Sequence, residues 1–271
     1  MATALDAIPN DYLVTLGMNQ LNQTSKFRYL VNKESGLSLE FDTAEDVFFP
    51  THTSELLIKG ARESIRTPGK LLDLGCGIGL CGLVLARLGH CEPPVYLSDM
   101  SARATLLSKL NAQKLGVPAV VRQGSLFNPW VDERFDIIVD DVSGISEDVA
   151  RVSPWFPEGV ECQTGKDGTA LTVSVLQRAP RHLNRGGMLI FPVLSLSREE
   201  RILDEAHIYF SQVSLVGEQV WFIPEEMLRH FDIIKPLLDQ GLIRLEQKFG
   251  SWLWTTKIYK AMSPRDLAGS H

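Results

Sequence analysis

The sequence predicts an α/β fold, a doubly wound and mostly parallel sheet with helices on both faces. Three observations carry that expectation. Short apolar runs of strand length alternate with helix-length segments between residues 70 and 209. The first of these runs leads into a glycine turn, Gly75-Cys76-Gly77-Ile78-Gly79, and a helix follows at once. The 271 residues are 44% hydrophobic and 22% charged, enough to bury a sizeable core. Parallel strands joined by helical crossovers are covered on both faces, so each run is apolar throughout.

In chain order, residues 1–45 begin with a helical-looking stretch and reach a turn at Ser35-Gly36. Leu37, Leu39 and Phe41 then alternate with polar residues, as a strand or hairpin arm would. Leu56, Leu57 and Ala61 space a helix over 53–65, closed by Thr67-Pro68-Gly69. Strands follow at 70–74, 95–99, 119–123, 135–140 and 188–193. Helices are expected at 80–88, ending at Gly89 as a C-terminal cap, at 102–115, at 168–183 with Pro180 inside, and at 198–209. Beyond them come a strand at 213–223, a helix at 224–238, and paired strands at 242–249 and 253–261 around Gly250-Ser251. The pattern leaves open how the last two strands sit relative to that helix. The expected organisation is an N-terminal arm or substrate cap over 1–47, a main domain over 48–262 with a helical insertion near 224–240, and a frayed tail over 263–271.

Composition narrows the function. No run of 18 apolar residues occurs, so no membrane span is expected, and residues 1–10 do not read as a secretion signal. With 27 basic against 33 acidic residues and a net charge of -6, the basic residues are thinly spread and give no strong nucleic-acid signal. Cys76, Cys81, Cys91 and Cys162 have no C-x-x-C spacing. They read as reduced structural thiols in a cytoplasmic protein, with no metal site.

The strongest motif is Leu71-Leu72-Asp73-Leu74-Gly75-Cys76-Gly77-Ile78-Gly79. A buried strand ends in an acid, and glycines at every second position allow positive φ angles and close approach to a ligand. The helix that starts there turns its free N–H groups toward the loop. Asp99 ends the next strand, about 20 residues further on, where an acid reaches ribose hydroxyls. A tight turn without ligand is the bland alternative, and the strand, helix and Asp99 together favour a nucleotide. Gly77, Gly79 and Gly82 also satisfy G-x-G-x-x-G, which keeps a dinucleotide dehydrogenase in view as the weaker reading.

The stretch from Asp73 to Gly79 resembles motif I of the class I S-adenosylmethionine-dependent methyltransferases, and Leu183-Asn184-Arg185-Gly186-Gly187-Met188-Leu189-Ile190 resembles that family's approach to its fifth strand. Phe49-Pro50-Thr51-His52-Thr53-Ser54-Glu55-Leu56-Leu57, Gly124-Ser125-Leu126-Phe127 and Gly165-Lys166-Asp167-Gly168 are similar to segments of its release-factor-type glutamine methyltransferases. The resemblance runs from about Phe48 to Val193. It implies a seven-stranded Rossmann-like methyltransferase fold and S-adenosylmethionine as cofactor. The implied cofactor set is Asp73, Gly75, Cys76, Gly77 and Gly79 around the methionine part and Asp99 at the ribose, with Met100, Ser125, Leu126, Asp141, Thr51 and Thr53.

The pattern also breaks. The subgroup carries N-P-P-Y after its fourth strand to grip a planar amide, and here Asp141-Val142-Ser143-Gly144 stands in its place. Ser125 replaces the acid expected at the adenine amine. Asp140 and Asp141 lie at the carboxyl end of a central strand, where one carboxylate can orient an amine or accept a proton. Adjacent strand residues face opposite sides, which argues against a paired or metal-binding role. Asp141 is the candidate catalytic group, and Asp140 reads as a helix cap or a partner of an arginine. His52, Trp155 and Phe156 are candidate substrate contacts, with structural packing as the alternative for each. Trp221-Phe222-Ile223, Trp252 and Trp254 read as core or lid packing. The expected activity is methyl transfer to an O or N atom of a small molecule or short peptide, the short segment before the match being too small for a separate partner-binding domain. Two other readings stay open: non-methyl chemistry of the same cofactor (aminocarboxypropyl transfer, elimination or cyclisation) and a non-catalytic cofactor-binding subunit. The oligomeric state is not legible.

Overall fold

The computed structural model describes residues 24–32, 36–156 and 162–265. The expected helical start of the N-terminal arm and the end of the tail lie outside these residues. Two N-terminal strands, β1 (Thr24–Asn32) and β2 (Leu37–Ala44), pair antiparallel as a separate hairpin with Phe27 opposite Phe41. α1 (His52–Ser64) follows; its N-cap Thr51 accepts from Thr53 N–H, and its inner face buries Ser54, Leu57, Ile58 and Ala61.

The central sheet begins with β3 (Leu71–Leu74), α2 (Leu80–Arg87), β4 (Val95–Asp99), α3 (Ala102–Leu115) and β5 (Ala119–Gln123). It continues through β6 (Phe135–Asp140), α4 (Glu147–Val152), α5 (Ala170–His182), β7 (Leu183–Leu194) and α6 (Glu199–Tyr209). β8 (Phe210–Phe222), α7 (Glu225–Leu228), α8 (Phe231–Asp239), β9 (Glu246–Lys248) and β10 (Ser251–Pro264) complete it. The strand order is β5-β4-β3-β6-β7-β10-β8, with β9 paired to β10. β3 to β7 are parallel neighbours, whereas β10 runs antiparallel to both β7 and β8. This is a doubly wound sheet with one reversed strand inserted near its end. The six-stranded dinucleotide-binding order has no such strand, so the topology sets the dehydrogenase reading aside.

Alternate residues of the parallel strands feed two apolar layers. Leu71, Ile137, Val139 and Ile190 face α1 and α2, while Leu72, Leu74, Ile138 and Leu189 face α5 and α6. A third cluster, built on Ile145, Leu196, Met227, Ile234, Leu237 and Trp254, gathers α4, α7 and α8 against the ends of β7 and β10.

Several local expectations change. The single helix over 224–238 is two helices, because the chain leaves the helical path at Arg229-His230, and each piece buries its own apolar residue in the third cluster. Pro236, inside the second piece, supplies no N–H to its own turn. The strand over 242–249 is paired only at Glu246–Lys248. Ile243 packs inward instead, and Arg244 N–H donates to Ser195 O. α4 carries too few apolar positions to have been read from spacing. β10 runs on to Pro264, with Arg265 N–H donating to Tyr209 O at 2.8 Å, so pairing passes residue 263. The insertion lies between β8 and β9, before the final hairpin. Among the described residues, no helix is long and apolar enough to cross a membrane.

Candidate active site

β3 and β6 run side by side in parallel register, Leu74 opposite Asp140. Both end at the same edge of the sheet. Asp141 N–H donates to Leu74 O at 3.0 Å, which starts its turn beside Gly75. Gly75 has φ +73, and a Cβ there would lie 2.8 Å from Val142 Cγ1 and 3.0 Å from Val142 N. Only glycine lets these two strand ends close up. The Gly75 and Cys76 N–H groups donate to Ser98 O at 2.9 Å, tying the loop to the end of β4. Gly77, at φ +52, differs: a Cβ there would meet nothing within 4 Å. The loop is packed at both ends and open at its middle.

Carboxylates collect around this loop. Asp73 is fully buried; its Oδ2 accepts from Gly82 N–H at 2.7 Å, and its Oδ1 has no partner. Burial pushes its carboxyl up to about 8, against the pull of the Gly82 bond and with the nearby Asp141 and Asp99 charges adding to the rise. Asp99 accepts from Gly77 N–H at 2.9 Å and Ser101 N–H at 2.8 Å, and burial raises it as well. Asp141 Oδ2 accepts from Ser54 Oγ at 2.7 Å and from Cys81 Sγ at 3.5 Å. Burial pushes Asp141 up to about 6, while the Ser54 and Cys81 bonds hold it down.

Asp140 points to the other face. Its Oδ1 accepts from Val142 N–H at 3.2 Å, its Oδ2 is buried without a partner, and burial raises it well above the carboxylate range. Among the described residues it meets no arginine and caps no helix, which corrects the expectation for it. Its bond closes the turn that aims Asp141.

The remaining candidates fall into two groups. Met100, Ser125 and Leu126 form the rim beside Asp99, where Gly124 N–H donates to Asp99 O at 2.9 Å and Gln123 Nε2 to Met100 O at 3.2 Å. Met100 and Ser125 are exposed, and Leu126 takes φ +49. On the opposite side, the hydroxyls of Thr51 and Thr53 are engaged within the protein, Thr51 in the α1 cap and Thr53 with Thr256 Oγ1 at 3.4 Å. His52 lies flat on Trp221, ring centroids 4.9 Å apart and planes at 11°. Trp221 Nε1 donates to Thr256 Oγ1 at 3.1 Å. Trp155 packs on Trp254 at 5.2 Å and Phe156 on Phe48 at 5.1 Å, both in the third apolar cluster. Phe222 is 74% exposed and is no part of that packing.

Sequence reasoning missed Ser54, Cys81, Trp221 and Thr256 as site residues. Ser54 lies on the buried helical face four residues before Ile58, a spacing visible in advance. Thr256 reaches Thr53 only through the pairing of β10, which no local signal encodes. Among the described residues, no group of three or more His, Cys, Asp or Glu is arranged to hold a metal ion. All four cysteines are free thiols.

Comparison with known proteins places this geometry in a family. The family described as Methyltransferase small domain matches residues 40–141, from β2 through the glycine loop to Asp141. The release factor glutamine methyltransferase of Geobacter sulfurreducens is 29% identical over 181 residues, 65% of this chain and 63% of that protein. Over this stretch the chain resembles the class I S-adenosylmethionine-dependent methyltransferases.

The ribosomal RNA small subunit methyltransferase C of Citrobacter koseri is 31% identical over 153 residues, 56% of this chain and 39% of that protein. The fold is shared with the T. thermophilus 16S rRNA N2 G1207 methyltransferase solved with AdoMet and guanosine. That likeness has a TM-score of 0.56 at 17% identity and covers 89% of this chain and 51% of that one. The chain thus spans less than two thirds of each of these three proteins. The family's cofactor is S-adenosylmethionine, and the residues present fit it. A buried, unpartnered Asp73 Oδ1 suits a cationic group, the open middle of the loop leaves room for one, and Asp99 stands at the rim with acceptor capacity to spare.

Proposed function

We propose that this protein transfers the methyl group of S-adenosylmethionine to an O or N atom of a small molecule or short peptide held beside Asp141. The observation that carries the reading is the Asp141 carboxylate. It stands at the carboxyl end of a central strand, next to the glycine loop, aimed by Ser54 and pushed up to about 6 by burial. A carboxyl in that range is largely ionised at neutral pH and still basic enough to accept a proton. When bound, the cofactor supplies an electrophilic methyl group on its sulfonium. What remains for the chain is to align the acceptor and remove its proton.

Asp141 takes that proton from the acceptor N–H or O–H. Ser54 keeps the carboxylate pointed at the edge where the acceptor enters. The His52–Trp221 stack, two residues along α1 from Ser54, offers a flat wall for the acceptor's apolar part. The amide grip of the release-factor enzymes has no counterpart in Asp141-Val142-Ser143-Gly144, where neither proline nor aromatic is present. The acceptor is therefore something other than a glutamine side chain. A net charge of -6 supports an acceptor other than a nucleic acid.

The test is incubation with S-adenosylmethionine and fractionated metabolites, peptides or RNA, followed by mass spectrometry. S-adenosylhomocysteine together with an acceptor heavier by one methyl group is expected from the metabolite or peptide fraction. Methylthioadenosine would sink methyl transfer, and a product in the RNA fraction alone would sink the acceptor class. Asp141→Ala should lower kcat by about 10²-fold or more, the scale of a lost proton acceptor, and reduce turnover more than cofactor affinity. Equal turnover would remove Asp141 from the chemistry.

A further inference from the structure

We propose that Asn111 is a positioning residue for the cofactor loop. It ties that loop to the β1–β2 hairpin, so that cofactor affinity and hairpin order are coupled. The inference rests on the reading that the glycine loop seats S-adenosylmethionine. Asn111 lies in α3 and is fully buried. Its Oδ1 accepts from Asp42 N–H at 2.7 Å, and its Nδ2 donates to Asp42 O and to Ile78 O, both at 3.0 Å. One amide thus grips the second strand of the hairpin and the middle of the glycine loop together.

The grip on the loop matters because of its neighbours. Ile78 stands between Gly77 at φ +52 and Gly79 at φ +85. Two glycines impose little preference of their own on the peptide planes. The Ile78–Gly79 peptide is instead held from both sides: Gly79 N–H donates to Cys76 O at 2.7 Å within the loop, and Asn111 fixes the Ile78 carbonyl from outside it. If the hairpin lifts away, Asn111 loses two of its three bonds, and a buried amide left partly unpaired is costly. The remaining bond to Ile78 is then no longer held in place.

The same helix carries both contacts on successive turns. Ser108 lies under Gly79, 3.1 Å from where a Cβ would stand. Lys114 Nζ reaches Glu40 at 2.9 Å and Asp42 at 3.0 Å on the hairpin. Coupling between two sites is reciprocal. A ligand that fixes the loop must also protect the hairpin, and loosening the hairpin must weaken the ligand.

The experiment uses the full chain with S-adenosylmethionine as probe, measuring Kd by calorimetry and amide exchange by mass spectrometry. Asn111→Asp keeps the shape and the acceptor for Asp42 N–H but removes both donations. At a temperature where circular dichroism shows it folded, its Kd is expected to rise about tenfold, the equivalent of one net hydrogen bond. The ligand should also slow exchange in residues 37–44 in the wild-type chain and not in the variant. Where the buried charge stops folding, Lys114→Glu serves instead, setting an exposed acid against Glu40 and Asp42 without touching the loop. Faster hairpin exchange and a roughly threefold higher Kd are expected there, about 0.6 kcal/mol. A lower Tm with unchanged Kd in Asn111→Asp, or a loosened hairpin with unchanged Kd in Lys114→Glu, overturns the proposal. If the wild-type chain binds no S-adenosylmethionine, the cofactor reading itself fails and the coupling falls with it.

Discussion

Gly75 and Gly77 look alike in the sequence, yet the structure gives them different tasks. Gly75 is a packing glycine, because a Cβ would press on the side chain and backbone of Val142. Gly77 carries only a backbone requirement, φ +52 with open space beyond. Gly75→Ala should therefore lose the left-handed preference and add overpacking, together about 2–4 kcal/mol, with a Tm lower by about 5 °C or more. Gly77→Ala should cost about 1 kcal/mol in stability and yet weaken S-adenosylmethionine by tenfold or more, since the new methyl enters the open middle of the loop. Scanning fluorimetry and calorimetry on both variants separate the two roles. Affinity within twofold of wild type in Gly77→Ala would move the cofactor elsewhere. At this scale the sequence is legible in local placement, as with Asp73 near the end of β3, Gly75 and Gly77 in the turn after it, and Asp99 ending β4. It is silent where a partner arrives from far along the chain, as Thr256 does at Thr53 and Asn111 at Ile78.

Among the elements, α1 links the proposed proton acceptor to the sheet. Its inner face carries Leu57, Ile58 and Ala61 into the core, and that anchoring aims Ser54 at Asp141. Ser54→Ala should leave the helix in place and remove a hydrogen bond that favours the ionised carboxylate. The acid limb of the kcat profile, set by a carboxyl near 6, should then move up by about one pH unit. Activity lost at pH 7 should return by pH 8 to 9. A uniform loss at every pH would mean that Ser54 acts on the acceptor rather than on Asp141. The elements that periodicity reads well are those like α1 and the parallel strands, where one core dictates one face. The insertion was harder for the same reason. Its helices answer to a third apolar cluster assembled from residues 145–254, and a break at Arg229-His230 satisfies that cluster better than one straight helix.

Across the whole molecule, the strand order brings four carboxyls to one edge of one sheet, Asp73 and Asp140 buried and Asp99 and Asp141 half-buried, and desolvation raises all four. A raised carboxyl contributes stability that is present below its unfolded value near 4 and is lost as pH climbs through the folded value. For this edge the loss runs through about 6 at Asp141 and about 8 at Asp73. The free protein should thus carry a growing electrostatic cost at its ligand edge between pH 5 and 8. A ligand with a sulfonium and an ammonium favours the ionised forms, so its binding expels protons and tightens as pH rises. His90 and His182 are held low by burial and work in the opposite direction on the free protein, their stability being lost as pH falls. His182 is stacked on Phe127 at the end of α5, away from the carboxyl cluster. The quantity to measure is therefore the rise in Tm on adding S-adenosylmethionine, which compares bound with free protein at the same pH. It should be larger at pH 8 than at pH 5.5, with affinity rising by up to about tenfold per pH unit for each proton displaced. S-adenosylhomocysteine, which lacks the sulfonium charge, should show a shallower dependence. An equal or smaller shift at pH 8 would mean that these carboxyls do not face the ligand's charge.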